Sequence, residues 1–225
     1  MATTESQNAP NQLIEALPSG VREQLRRCGE TVVLEVDQVL CTEGHPYTHV
    51  YFPTGSVVSQ MVTLRGHASF DVSMIGCEGM LGASLVLDVI EAPWLAKVEG
   101  AGSAVRIAAG DLCRLLEAHQ GLRRPLGRYL FNSYQKLGLS ACCARFHEIE
   151  PRLAGYLLST ADRVPGGSFQ RTHQTLADML GVQRSAVTIA AGALQRRGLI
   201  RYSRGEIQIL NRPALVSAAC ECYRR

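Results

Sequence analysis

The sequence predicts an α+β protein: an N-terminal jelly-roll (double-stranded β-helix) domain, a long helix, and a C-terminal winged helix-turn-helix. Three observations carry this expectation. Residues 31–107 are rich in Val, Tyr, Phe, Thr and Ile, in short runs punctuated by ten glycines between 29 and 110. A longer period then takes over, with apolar and small residues at heptad-like spacing from Leu126 to Ala144. Finally, two helical patterns meet at Gly181 and are followed by two short strand-like runs around Ser203-Arg204-Gly205.

Length and composition permit this division. A chain of 225 residues, 46% hydrophobic and 19% charged, can bury one large and one small core. No apolar run reaches the roughly 18 residues of a membrane span, and the opening MATTESQNAPNQ is polar, unlike a signal peptide. The expected location is the cytoplasm. Eight cysteines, at 28, 41, 77, 113, 142, 143, 220 and 222, include no Cys-x-x-Cys pair. Free thiols are expected, with no metal ligand assigned and no cofactor. Cys142 and Cys143 are the pair that best fits a redox role.

Charge separates the two ends. Residues 1–150 hold 12 Lys and Arg against 16 Asp and Glu, a net −4, whereas residues 151–225 hold 11 against 4, a net +7. A basic segment of that size suits a polyanionic partner.

Element by element, Leu13, Ile14 and Leu17 open the chain as a short amphipathic turn. The runs TVVLEV, HVYFPTGSVVSQMVTL, SFDVSMI and SAVRI read as strands of a compact β-domain over residues 1–121. Residues 122–150 form a dimerisation helix and hinge. Pro125 fits the helix's first turn, where its missing N–H is harmless. Leu126, Leu130, Ser133, Leu137, Ser140 and Ala144 then make a seam suited to a second copy of the chain, and Glu148-Ile149-Glu150-Pro151 makes the hinge.

The winged domain spans 151–225. Thr172 caps a helix whose inward face is Leu176, Ala177 and Leu180, and Gly181 ends it. The next helix starts near Arg184, buries Val187, Ala190, Ala191 and Leu194, and stops at Gly198. Such a helix enters the major groove of DNA by its first turns, where Arg184 can reach guanine O6 and N7 while Gln183, Ser185 and Thr188 reach neighbouring bases or phosphates. Arg171, Thr172 and Gln174 on the preceding helix, and Arg201 and Arg204 on the wing, stand at backbone-contact positions. Gln183 is a weak N-cap.

This order of parts resembles the Crp/Fnr family of bacterial transcription regulators, most specifically in T172-H-Q-T-L-A-D-M-L-G-V-Q-R-S-A-V-T, L194-Q-R-R-G-L-I and G205-E-I-Q-I. The resemblance implies a homodimer on a palindromic double-stranded DNA operator, a β-domain that senses a signal, RNA polymerase as a further partner, and no catalysis. Departures matter as much. Ser185 and Ile189 stand where the family's recognition helix carries an acid and a second arginine, so a variant half-site is expected. The stretches G79-M-L-G-A-S and E91-A-P-W-L-A lack the family's cyclic-nucleotide glutamate and arginine, which argues against cyclic AMP as the effector.

Two alternatives stay open at this point. His45 and His49 in HPYTH evoke the metal ligands of cupin-like enzymes, although no His-x-His occurs; and a basic domain alone would also suit a nonspecific architectural DNA binder. Among His67, His119 and His147, nothing in the spacing selects a haem ligand.

Overall fold

The computed structural model describes residues 9–66, 69–164 and 168–224. The chain forms two compact units, one of residues 1–61 and 72–135, the other of residues 62–71 and 136–225.

In the first unit, a one-turn helix α1 (Gln12–Glu15) starts at Asn11, whose side chain accepts from the Leu13 and Ile14 N–H groups. The same buried amide donates to the carbonyls of Pro53 and Gly79, both at 2.9 Å. A second helix, α2 (Ser19–Cys28), was not separable from its neighbours by pattern; it buries Val21 and Leu25. The strands are β1 (Gly29–Leu34), β2 (Val39–Cys41), β3 (His49–Pro53), β4 (Val57–Val62), β5 (Phe70–Ile75), β6 (Leu95–Gly100) and β7 (Gly102–Ala108). They make two sheets, β1-β7-β3 and β2-β6-β4-β5. Leu34, Val50, Phe52, Val58, Val98 and Ile107 share their core. The three-residue β2 is too short to show a period, and β6 alternates only over Leu95–Glu99.

Helix α3 (Ala109–Ala118) packs Leu112, Leu115 and Leu116 into this core. Helix α4 (Gln120–Phe146) follows after a break at His119. It begins earlier than Pro125 suggested, because burying Leu122 draws the preceding residues into the helix; proline therefore lies inside it rather than in its first turn.

In the second unit, α5 (Ile149–Ala161) starts after Glu148, which makes no side-chain capping bond, and carries Pro151 in its first turn. Of the residues 148–151 expected as a hinge, Ile149–Pro151 are helical, and the break between α4 and α5 falls at His147 and Glu148. Beyond the undescribed residues 165–167 come β8 (Ser168–Gln170), α6 (His173–Leu180), α7 (Arg184–Arg196), β9 (Ile200–Ser203), β10 (Glu206–Ile209) and α8 (Arg212–Ala218). The stretch around Ser168 and Phe169 is the third strand of a sheet ordered β8-β10-β9. Phe169 is buried against Ile207, Leu157 and Leu194 in a core of its own, and that burial outweighs the loop-like glycines before it.

Among the described residues no helix is long and apolar enough to cross a membrane.

Candidate nucleic-acid interface

The helix pair forms as its sequence dictates. Thr172 Oγ1 accepts from the Thr175 N–H at 3.1 Å and fixes the start of α6. Gly181 ends it in the left-handed region at φ 64°, with Val182 N–H reaching back to the Ala177 carbonyl at 3.0 Å in a Schellman pattern. The Arg152 guanidinium donates to the Leu180 carbonyl and holds this end from α5. Leu176, Ala177, Leu180, Val187, Ala190, Ala191 and Leu194 are all buried, as their spacing predicts.

Helix α7 starts without a side-chain cap, since Gln183 makes no capping bond. Its opposite face is polar and open: Gln183, Arg184, Ser185 and Thr188 are exposed. Ile189 stands among them 70% exposed, an apolar side chain left in water by a helix whose other face is sealed. The wing hairpin turns through Arg204 (φ 49°) and Gly205 (φ 84°). With Ser203 paired to Glu206, this is a two-residue loop with both central residues left-handed, the type I′ geometry that suits strand twist.

Several of the expected contact residues are already engaged. Arg171 is half-buried; its Nη1 donates to the Gln170 carbonyl at 2.8 Å and its charge lies close enough to Tyr156 to oppose the burial that raises that phenol's pKa. The guanidinium is thus engaged by the chain's own backbone at the start of α6. Gln174 donates to Asp178 Oδ1 at 2.8 Å, and the Thr172 hydroxyl is used in capping. Arg201 faces Gln208 across the hairpin at 3.4 Å, while Arg204 is exposed at the wing tip.

His173 and Tyr202 were missed by sequence reasoning. Their rings stack at 4.3 Å between centroids, 16° from parallel. His173 Nδ1 is 3.0 Å from Thr188 Oγ1, and the Tyr202 hydroxyl donates to the Arg171 carbonyl at 3.2 Å. One imidazole thus links α6, α7 and the wing. Burial, then the Arg184 cation, lowers its pKa. The signal that could have found it is the histidine directly after a capping threonine, but only pairing of β9 with β10 brings Tyr202 to it.

The predicted seam divides. Leu126 is fully buried in the first unit's own core and Leu130 packs against that core, so the Leu126 position is not available to a second chain. Ser133 donates to the Tyr129 carbonyl at 3.0 Å. Leu137 is half-buried, and Ser140 and Ala144 are exposed. Phe131 and Tyr134, outside the predicted seam, are 57% and 71% exposed.

The other sequence candidates fall out as follows. His45 Nδ1 lies 3.1 Å from the Glu43 carbonyl and His49 Nδ1 3.1 Å from Thr48 Oγ1. Among the described residues neither belongs to a group of three or more potential metal donors. His67 lies outside the described residues. Cys142 is exposed, whereas Cys143 meets Cys220, Cys222 and His147, a grouping that the absence of Cys-x-x-Cys spacing concealed. Burial, reinforced by Cys220, pushes the Cys143 thiol up to about 12, opposite to the depressed pKa of a reactive redox cysteine. That shift gives Cys143 the character of a buried, unreactive thiol.

Comparison with known proteins agrees with this geometry. Residues 151–218 match the model of the Crp-like helix-turn-helix domain. No curated protein matches the sequence significantly. Among solved structures, a protein of Eubacterium rectale described as a Crp/Fnr-family transcriptional regulator is 15% identical with a TM-score of 0.71, covering 95% of this chain and 98% of that one. FixK2 from Bradyrhizobium japonicum is 14% identical with a TM-score of 0.70, over 85% and 98% of the two chains. TTHA1359, a Crp/Fnr-family transcriptional regulator from Thermus thermophilus, is 22% identical with a TM-score of 0.65, over 84% and 98%. Residues 151–218 thus carry a Crp-like helix-turn-helix domain, and the chain as a whole shares the fold of solved Crp/Fnr-family structures.

Proposed function

We propose that the protein is a homodimeric, sequence-specific DNA-binding regulator of transcription that acts in the cytoplasm and without catalysis. One observation carries the reading above all. Gln183, Arg184, Ser185, Thr188 and Ile189 stand exposed on the first turns of α7 while its other face is buried to the last apolar residue. A helix so divided is suited to lie in a major groove with those side chains toward the base edges.

Each side chain has a matching chemistry. Arg184 suits a bidentate guanine contact; Ser185 and Thr188 suit single hydrogen bonds. Ile189, which cannot hydrogen-bond at all, suits the C5-methyl of thymine. The uncapped start of α7 leaves first-turn N–H groups for a phosphate oxygen, which a helix N-terminus attracts. Gln183's weakness as a cap thus becomes an asset on DNA. Thr172, Gln174, Arg201 and Arg204 flank this surface at positions suited to the sugar-phosphate backbone.

The remaining parts follow. Phe131, Tyr134, Leu137, Ser140 and Ala144 along α4 suit pairing with a second copy, and a two-fold dimer reads an inverted repeat. RNA polymerase is the further partner that regulators of this family imply. Cyclic AMP is not proposed as the effector: residues 91–96 bring no cationic side chain for a cyclic phosphate, and Lys97 beyond them is held by Asp37 at 2.6 Å.

Selection of bound sequences from random duplexes, with the full chain at two salt concentrations, tests the reading. Enrichment of an inverted repeat with half-sites about 10 base pairs apart, centre to centre, is the expected result. Equal affinity for unrelated duplexes would instead identify an architectural binder.

A further inference from the structure

The last turn of α4 presents Cys143, and His147 follows four residues later, its N–H still bonded to the Cys143 carbonyl at 3.1 Å. That spacing puts both side chains on one side of the helix end. After α8, the Cys220 N–H donates to the Pro151 carbonyl at 3.4 Å, which sets Cys220 and Cys222 against the same place. Three sulfurs and one imidazole nitrogen converge, all four donor atoms within 4.8 Å of one another. All four residues lie in the second unit, and all lie outside the 151–218 match, so the Crp-like domain as such does not call for them.

The spacing of the donors is that of a coordination shell. With metal–sulfur bonds of about 2.3 Å and metal–nitrogen bonds of about 2.0 Å, a tetrahedron has sulfur–sulfur edges of about 3.8 Å and sulfur–nitrogen edges of about 3.6 Å. Cys143 Sγ lies 3.6 Å from Cys220 Sγ, and Cys222 Sγ lies 3.5 Å from His147 Nδ1. The other ring nitrogen, Nε2, is 3.4 Å from a carboxylate oxygen of Glu221. A carboxylate on the far nitrogen orients a metal-bound histidine and fixes its tautomer. With its proton on Nε2 toward Glu221, the ring would offer the Nδ1 lone pair to the cluster.

We propose that Cys143, His147, Cys220 and Cys222 bind a thiophilic divalent cation of the zinc class in a closed, four-coordinate site. Three sulfurs and a nitrogen favour zinc over the oxygen-seeking magnesium and calcium, and four protein donors leave no position for a substrate, which marks the site as structural. Binding releases the three thiol protons to solvent; His147 keeps the proton on Nε2. The cation would staple the end of α4 to the segment after α8 across the start of α5. The proposal does not rest on the DNA-binding reading, and none of its tests uses DNA.

The experiment takes the full chain purified under reducing conditions without chelator. Elemental analysis is expected to find zinc in a one-to-one ratio to protein. Replacement by cobalt(II) is expected to give the visible bands of tetrahedral cobalt with sulfur-to-metal charge transfer. Of the eight cysteines, Cys143, Cys220 and Cys222 are expected to resist alkylation until the metal is stripped, with Cys142 reacting throughout. His147→Ala and Cys222→Ser are expected to lose the cobalt spectrum while Cys142→Ser keeps it; should the first two fail to fold, the wild-type alkylation pattern still decides. Metal-free protein that gains no protection when zinc is added, an octahedral cobalt spectrum, or a Cys143–Cys220 disulfide in place of bound metal would overturn the proposal.

Discussion

The two units differ in how they spend their charges. In the first, cations meet carboxylates at home: Arg22 and Arg26 on Glu15, Lys97 on Asp37, Arg106 on Glu30, Arg123 on Asp88. In the second, Arg212 pairs with Asp162 and Arg197 with Glu150, yet residues 151–225 hold only four carboxylates against 11 cations. Arg184, Arg196 and Arg204 enter no ion pair among the described residues. Internal pairing cannot neutralise such an excess, and what is left over is presented on α7 and the wing. The C-terminal region thus carries its surplus as cations and the N-terminal region as carboxylates.

The largest effect that should expose this difference is that of salt. If the second unit neutralises six or more phosphates, raising salt from 50 to 200 mM weakens DNA binding by about a thousandfold or more. Fluorescence anisotropy with a labelled duplex would show it, and a flat response would break the contrast between the units. Next in size is Arg184→Ala, expected to cost about 1–3 kcal/mol, roughly five- to 150-fold in affinity, with relaxed preference at one position of each half-site. Equal loss on all sequences would instead demote Arg184 to a phosphate contact.

Smaller effects sharpen the picture within the second unit. Thr172→Ala removes the α6 cap and is expected to cost about 1 kcal/mol of unfolding free energy in a denaturant titration, with the β-unit's own transition unmoved. The smallest concerns pH. Because burial and Arg184 hold the His173 imidazole below its ordinary value, the folded state prefers the neutral ring. Its contribution is intact above the ordinary histidine value of about 6.5 and is lost as pH falls through the depressed folded value. His173→Gln should flatten that part of the stability-against-pH profile, read by thermal melts at several pH values; an unchanged profile would assign the acid sensitivity elsewhere.

The helix-turn-helix was the most legible region because its determinants are local. Thr172, Gly181 and Gly198 act on neighbours within one turn, and a period of 3.6 residues sorts Val187, Ala190, Ala191 and Leu194 inward with no knowledge of the rest. The β-domain was legible as a class but not strand by strand, since β6 and β2 owe their place to partners far along the chain. Helix α4 misled at Leu126 for the same reason. A heptad seam states that a helix face is apolar, not which surface covers it, and the covering surface for Leu122 and Leu126 is the chain's own core.

Sequence by itself determined the fold class, the sign of each region's charge and the residues that face outward on α7, because caps, periodicity and net charge are properties of short segments. Tertiary structure alone decided the rest. It seated Arg171 beside Tyr156, stacked His173 on Tyr202, and drew Cys143 and His147 to within coordination distance of Cys220 and Cys222, more than seventy residues away. Contacts closed over such separations depend on the packing of every element between them, and no local pattern records that packing.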